Sequence, residues 1–333
     1  MLFRGNEKII ISLTSIRSRE NCLKETLICL LNQDFDFNYE VRVYLSKEPY
    51  LLDEGYDEEP HWVNEISGIN EKCNLKIFFV ENTGPYRKLV PVLKEYFLSG
   101  LDAIIITCDD DVKYDRWWLK NLIAVHCKVG GIVAYRGHSI KMEDDGQKLA
   151  SYKIWQINKN KKQFCLSNLP TGKDGVLYRP YYFRKEVVDM SMAMSIAPTA
   201  DDLWFRWNTI VNAVPCYLIT LSGKVFSDVS SFVEENSLWE EFNKKGGNDK
   251  TIEKLEVDFK KRIGFNIFDV LEFFFGKKDG EIGGCEELVN LCRKNIYSTH
   301  LGEDAPESFR CLNASTYELI RYSLLRRINS NFF

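Results

Sequence analysis

Three consecutive carboxylates, Asp109, Asp110 and Asp111, stand directly after an apolar run at residues 103–108. Side by side they repel one another, so a fold gains nothing by setting them at a cleft unless a cation joins them. Oxygen ligands of this hardness suit Mg²⁺ or Mn²⁺, ions that keep several waters and bridge to phosphate oxygens. In such a turn residues i and i+2 can both face the ion, which makes Asp109 and Asp111 the expected metal pair. The ordinary alternative is a helix cap, because aspartate favours a helix start and residues 114–128 read as helix. One aspartate would be enough for that. A second acidic pair, Asp201 and Asp202, opens a helical segment, Thr199-Ala-Asp-Asp-Leu-Trp204. One of the two can cap that helix while the other points into a cleft; the plainer reading makes both first-turn residues.

The elements that must position these groups are legible from periodicity. Residues 8–13 form a continuous β-branched run, the mark of a strand buried on both faces. Residues 21–33 then place Leu23, Leu27, Leu30 and Leu31 on one helical face. Residues 39–46, 75–80, 103–108 and 131–135 read as further strands, with helical spacing at 89–97 and 114–128. Pro91 is tolerable only in a first helical turn. Strand and helix alternating over ~130 residues predict an open, mostly parallel sheet with right-handed crossovers. Ligands of such sheets bind outside the carboxyl ends of the strands. That edge comprises residues 14–19, 46–50, 82–88, 109–113 and 136–139, so the aspartate triplet falls on it. Residues 141–180 are polar and aromatic with poor periodicity, and read as long loops or short antiparallel strands. A helix at 201–212 and a strand from 216 follow. Residues 234–262 are charge-rich and helical, interrupted by Gly246-Gly247; 265–275 are strongly apolar; 317–328 make a basic amphipathic end.

Several pieces, in this order, resemble the GT-A-type glycosyltransferases, in particular the bacterial family-2-like enzymes. Ile9-Ile-Ile-Ser-Leu-Thr-Ser-Ile-Arg17 is similar to their opening strand and nucleotide-contacting loop. Leu27-Ile-Cys-Leu-Leu-Asn-Gln33 resembles the helix that closes on L-x-Q. Ile105-Ile-Thr-Cys-Asp-Asp-Asp-Val112 resembles the strand ending in the metal-binding D-x-D motif, and Thr199-Ala-Asp-Asp-Leu-Trp204 the downstream acidic motif of inverting members. The downstream motif usually reads Glu-Asp, so the base falls on Asp202 or on Asp201. The likeness spans residues 8 to about 250; nothing beyond Gly264 contributes to it.

The resemblance implies a GT-A fold over residues 1–262, with a nucleotide-sugar-binding half at 1–140 and an acceptor-side half at 141–262; beyond it the sequence pattern reads as a helical extension at 263–333. It implies an inverting hexosyltransferase-class enzyme that uses Mn²⁺ or Mg²⁺ and moves a sugar from a nucleotide-diphosphate donor, UDP-linked by preference. The acceptor would be a glycan or lipid-linked glycan of surface polysaccharide, lipopolysaccharide or capsule. Donor contacts are expected from Thr14, Arg17, Ser46, Glu48, Tyr86, Lys88 and Asp110. Arg17, Arg87 and Lys88 would meet phosphates, a carboxylate such as Glu48 would accept from uracil or ribose, and Tyr86 would stack on the base after the Gly84-Pro85 turn. Acceptor contacts are expected from His138, Trp155, and the glycines of Pro170-Thr-Gly-Lys-Asp-Gly-Val-Leu-Tyr178, Gly172 and Gly175, which permit close backbone approach. For each of these residues an ordinary structural role is the rival: surface charge, a hydrogen-bonded histidine, a core tryptophan.

Composition sets the outer bounds. The 333 residues are 45% hydrophobic with 44 basic and 48 acidic side chains, enough for a large core and inconsistent with a globally basic nucleic-acid binder. No apolar run approaches the ~20 residues that cross a bilayer, and the first residues lack a signal peptide's apolar stretch. A cytoplasmic protein is expected, peripheral on the inner face of the membrane if the basic end at 317–328 lies on anionic lipid. The ten cysteines show no metal or disulfide spacing and read as reduced thiols; Cys285, Cys292, His300 and Cys311 match no zinc pattern. Two other activities fit part of the pattern. A nucleotidyltransferase would carry a glycine-rich basic loop after the first strand, and residues 14–19 hold no glycine. A non-catalytic carbohydrate-binding domain would have no use for both acidic pairs.

Overall fold

In the computed structural model of the chain the residues described are 7–143, 145–155, 164–219, 226–229, 238–243 and 246–275. The expected alternation of strands and helices is present. Strand β1 (Ile9–Thr14) leads through a short 3₁₀ turn to helix α1 (Glu20–Leu31), then β2 (Tyr39–Leu45), a one-turn helix α2 (Val63–Ile66), β3 (Cys73–Phe79), α3 (Val90–Ser99) and β4 (Ile104–Thr107). Next come β5 (Val112–Lys113), α4 (Trp118–Val129), β6 (Ile132–Ala134), β7 (Gly137–Ser139), β8 (Phe164–Cys165), β9 (Asn168–Pro170) and β10 (Val176–Tyr178). The chain continues through α5 (Met190–Ile196), α6 (Asp201–Ile210), β11 (Cys216–Leu218), β12 (Ser227–Asp228), α7 (Gly247–Ile263) and α8 (Ile267–Phe275).

Eight strands make one sheet in the order β3-β2-β1-β4-β10-β6-β11-β8. β1, β2, β3 and β4 pair in parallel, as do β6 and β11. β10 runs antiparallel between β4 and β6, with Val176 opposite both Thr107 and Ala134. The sheet is therefore mixed and mostly parallel, flanked by helices. Period-2 alternation divides the strands between two cores. Ile10 and Ile105 pack to one face, Ile9, Ile11, Ile104 and Ile106 to the other, all of them buried. One face is covered by α1 and α4, through Leu27, Leu30, Leu119 and Leu122. The other is covered by α3, α6 and α7, through Leu93, Trp204, Leu255 and Phe259.

Pro91 lies in the first turn of α3, where its missing N–H would have had no partner anyway. Gln33, the last residue of the L-x-Q run, is a clamp between two helices. Its amide donates to the carbonyls of Cys29 and Asp115, both at 3.0 Å, and its carbonyl accepts the N–H of Leu119 at 2.9 Å. The short antiparallel pieces expected within residues 141–180 are β8, β9 and β10. Of the proposed extension at 263–333, the described part joins the main core: Phe265, Ile267, Val270 and Leu271 are buried with α6 and α7. Residues 276–333, with the basic end, Cys285, Cys292, His300 and Cys311, lie outside the described residues. Among the described residues the seven cysteines are free thiols, and no helix is long and apolar enough to cross a membrane.

Candidate active site

The loops after β1, β2, β4 and β6 share one edge of the sheet and surround a cavity of about 750 Å³. The aspartate triplet lines it. The turn that ends β4 passes into β5, which is fixed to β12 and by the Val229 N–H to the Asp111 carbonyl at 3.0 Å. Asp109 accepts from the Lys88 ammonium at 3.2 Å. Asp110 is buried and turned toward β1, where it accepts from the Ser15 hydroxyl and, at 3.1 Å, from Arg19. Asp111 accepts from the same guanidinium at 3.1 Å through Oδ2. Its Oδ1 is buried and has no hydrogen-bond partner. None of the three caps α4. That helix starts at Trp118, and it is Asp115 that accepts the Trp117 N–H at 2.8 Å.

Burial, and after it the charges of Asp110 and Asp109, push the Asp111 carboxyl up to about 7. A buried acceptor oxygen without a donor is unfavourable, and a cation at that position would remove both problems. The residues present fit a divalent ion of the Mg²⁺ or Mn²⁺ type. Asp109 and Asp111 are the two carboxylates that would hold it; among the described residues no cluster of three or more His, Cys, Asp or Glu side chains is placed to bind a metal. The remaining ligands would then be water and substrate oxygens, the coordination such ions prefer.

Across the cavity α6 begins at Asp201. Its N-cap is Ala200, with no side-chain cap bond, so the two aspartates are first-turn residues, favoured there by the helix dipole. They differ in partners. Asp201 pairs with Lys88 at 3.0 Å. Asp202 accepts the Gly172 N–H at 3.1 Å, and burial followed by the charge of Asp201 raises its carboxyl to about 7. A carboxyl in that range alternates between acid and base near neutrality, as a general base requires.

Lys88 joins the two acidic pairs. It ends the 3₁₀ turn Gly84–Lys88, where the Lys88 carbonyl is held by the Ser12 hydroxyl at 2.5 Å. Burial opposes its charge, but Asp109, Asp201 and Asp202 more than offset this and hold the ammonium protonated. Gly172 is the other junction. A Cβ there would lie 2.7 Å from Lys88 Nζ, 3.3 Å from Asp109 Oδ1 and 3.4 Å from Asp202 Oδ1, so only glycine lets these groups converge. Tyr114 braces the same turn: its hydroxyl accepts the Asp109 N–H at 3.0 Å and donates to the Lys173 carbonyl at 2.7 Å.

The remaining expected residues separate cleanly. Thr14, Lys88, Asp110, His138, Trp155 and Gly172 line the cavity; Arg17, Ser46, Glu48, Tyr86 and Gly175 do not. Arg17 is turned outward by the 3₁₀ turn that contains it and pairs with exposed Asp57 at 2.8 Å; Arg19, two residues on, takes the inward position. Ser46 is buried and accepts the Glu48 N–H at 3.1 Å, while Glu48 itself is exposed. Tyr86 belongs to the core, with its hydroxyl donating to the Ala197 carbonyl at 2.6 Å and its ring against Phe205, so no face is left for a base. Gly175 is fixed by packing: its φ is +102°, and a Cβ would stand 2.5 Å from the Trp118 ring. Trp155 is fully buried between Tyr152 and Trp207 and forms floor, with no open face for a sugar.

Sequence reasoning missed Asp53 and placed Arg87 on phosphate. In the structure the two form a buried ion pair at 2.8 Å on the cavity wall. Asn82 donates to Asp53 Oδ2 at 3.1 Å, and the Gly55 N–H to Oδ1 at 3.1 Å. The readable signal was Asp53-Glu-Gly55, an Asx-type turn with glycine at positive φ. Burial lowers Arg87 from the usual guanidinium range, with Asp53 opposing. Arg19 and Arg136, on the cavity wall, were also missed; both lie within segments assigned to the ligand edge.

No family model matches the chain, and no curated protein matches it. Solved structures similar to it include S. aureus TarS 1–349, which is 14% identical over 96% of this chain and 91% of that chain, with a TM-score of 0.40. The same fragment in complex with UDP-GlcNAc is 14% identical over 96% and 92%, with a TM-score of 0.38. A putative glucose-1-phosphate thymidylyltransferase from Bacillus anthracis, in complex with a sucrose, is 13% identical over 73% and 96%, with a TM-score of 0.39.

Proposed function

We propose that this chain is a metal-dependent, inverting glycosyltransferase that moves a sugar from a nucleotide-diphosphate donor, a UDP-sugar by preference, to a glycan acceptor. One observation carries the reading: the strand-end aspartates and the helix-start aspartates face a single cavity, with Lys88 3.2 Å from Asp109 and 3.0 Å from Asp201. The arrangement supplies what sugar transfer requires. Asp109 and Asp111 would hold the divalent ion, which when bound offsets the charge that develops on the leaving diphosphate. Lys88 adds a fixed positive charge beside it. Asp202, rather than Asp201, is the group to accept the acceptor hydroxyl's proton, because Asp201 is engaged by Lys88, whereas among the described residues Asp202 is held by the Gly172 N–H and by no ion pair. A base on the side opposite the leaving group gives single displacement with inversion. Surface polysaccharide synthesis at the inner face of a bacterial membrane is the setting proposed for it.

The test is donor hydrolysis. With Mn²⁺ and a UDP-sugar the protein should release UDP slowly, Asp111→Ala should abolish the release, and UDP should raise the melting temperature more with Mn²⁺ than without it. A screen of UDP-, GDP-, CMP- and dTDP-sugars in which none shifts the melting temperature, with or without Mn²⁺, would sink the proposal.

A further inference from the structure

The cations of the cavity wall are nearly all committed to aspartates. Arg19 serves Asp110 and Asp111, Arg87 serves Asp53, Lys88 serves Asp109 and Asp201, and Lys173 pairs with Asp228 at 2.7 Å. Arg136 and Lys153 line the same cavity, and among the described residues neither has a carboxylate within ion-pair distance. The Arg136 Nε is buried and lacks an acceptor. Arg87 Nη1, Arg179 Nε and Arg206 Nε also lack an acceptor, but those guanidiniums are held by carboxylates or carbonyls through their other nitrogens. Among the described residues Arg136 has no such partner, and leaving a buried donor unmet is costly.

We propose that the acceptor bears an oxyanion, a phosphate or a carboxylate, and that this group is bound by Arg136 on the Asp202 side of the cavity. The inference rests on the glycosyltransferase reading above and names its acceptor class. Arg136 follows β6, and its carbonyl accepts the Thr171 N–H at 3.1 Å. Thr171 precedes Gly172, whose N–H holds Asp202. The Arg136 backbone is thus tied to the residue beside Gly172, and its side chain lines the same cavity as Asp202. Asp174, Tyr152 and Lys173 feel the Arg136 charge, but among the described residues no carboxylate forms an ion pair with its guanidinium, whose planar donor fork suits an oxyanion. Lys153, exposed on the turn Tyr152–Ile154, adds positive charge at the rim. A neutral glycan would leave the Arg136 guanidinium unmatched; an anionic one satisfies it and gains a charge-assisted contact.

The full chain, saturated with UDP and Mn²⁺ so that the donor side is occupied, is titrated calorimetrically with glucose 6-phosphate, glucuronate and glucose. At least one anionic sugar should bind about tenfold or more tightly than glucose, in keeping with a charge-assisted hydrogen bond. Binding of glucose 6-phosphate alone identifies a phosphate, of glucuronate alone a carboxylate. Arg136→Met should remove the preference while its UDP affinity and circular dichroism match the parent, and Arg136→Lys should restore part of it. If UDP binds but neither anion exceeds glucose, or if Arg136→Met weakens UDP instead, the inference is overturned and the glycosyltransferase reading stands. If UDP itself does not bind, both fall together.

Discussion

Asp202 has its carboxyl raised to about 7 by burial and by its neighbour Asp201, so the proton-accepting form predominates only above neutrality. The kcat/KM of transfer should accordingly rise with pH through about 7 and then level off, measured on the full chain with Mn²⁺. Asp202→Asn should lower transfer by about 10²–10⁴-fold, the usual contribution of a general base. The same group bears on stability. Its folded pKa stands above the unfolded value, so the folded state binds the extra proton between pH 4 and 7, and stability declines as pH rises through that window. Asp202→Asn should therefore melt higher than the parent at pH 8 and show little gain at pH 4, with transfer lost at both. The two glycines of the 170–178 loop separate chemistry from packing. Gly172→Ala pushes on the far end of Lys88, which can yield, so the melting temperature should change little while transfer falls about tenfold from misplaced groups. Gly175→Ala meets the Trp118 ring at positive φ and should cost about 3 kcal/mol of stability in a urea melt.

Gln33 shows how an element holds the site without touching it. By joining the end of α1 to the start of α4 it fixes the two helices that flank the aspartate turn. Gln33→Ala leaves the buried Leu119 N–H without its acceptor, while the Asp115 carbonyl keeps the Trp118 N–H at 3.0 Å, and should destabilise by about 1–3 kcal/mol in denaturant unfolding. The sequence resemblance drew attention to Gln33; its three hydrogen bonds show what a glutamine does at this position. β10 was the element least legible in advance. Three residues, Val176–Tyr178, carry no period, and only pairing with both β4 and β6 makes them a strand in the centre of the sheet. That placement brings the Gly172 turn, one loop upstream, between the two acidic pairs.

At the scale of the molecule the cavity is held by charges that oppose one another at close range. The buried Arg87–Asp53 pair spans the loops after β2 and β3 and has Asn82 and Gly55 as further partners. Arg87→Met strands the Asp53 charge and should destabilise by about 3–5 kcal/mol, whereas the double variant with Asp53→Asn should recover much of that loss in the same melt. A surface charge such as Lys24, paired with exposed Glu65, should show no such coupling, because solvent screens it.

The amino-acid sequence by itself determined the strands buried on both faces, the helices between them, and the sheet edge on which the acidic triplet falls, because each follows from local periodicity and from the geometry of parallel strands. It also singled out Asp109, Asp111, Asp201, Asp202, Lys88 and Gly172. Only the tertiary structure decided which way neighbouring side chains face. Arg17 and Arg19 are both in the right segment, but a 3₁₀ turn sends one outward and one in; Tyr86 and Trp155 are aromatic in the right loops, but long-range packing surrounds them. Which charges pair depends on distances across dozens of residues, and those distances exist only once the chain has folded.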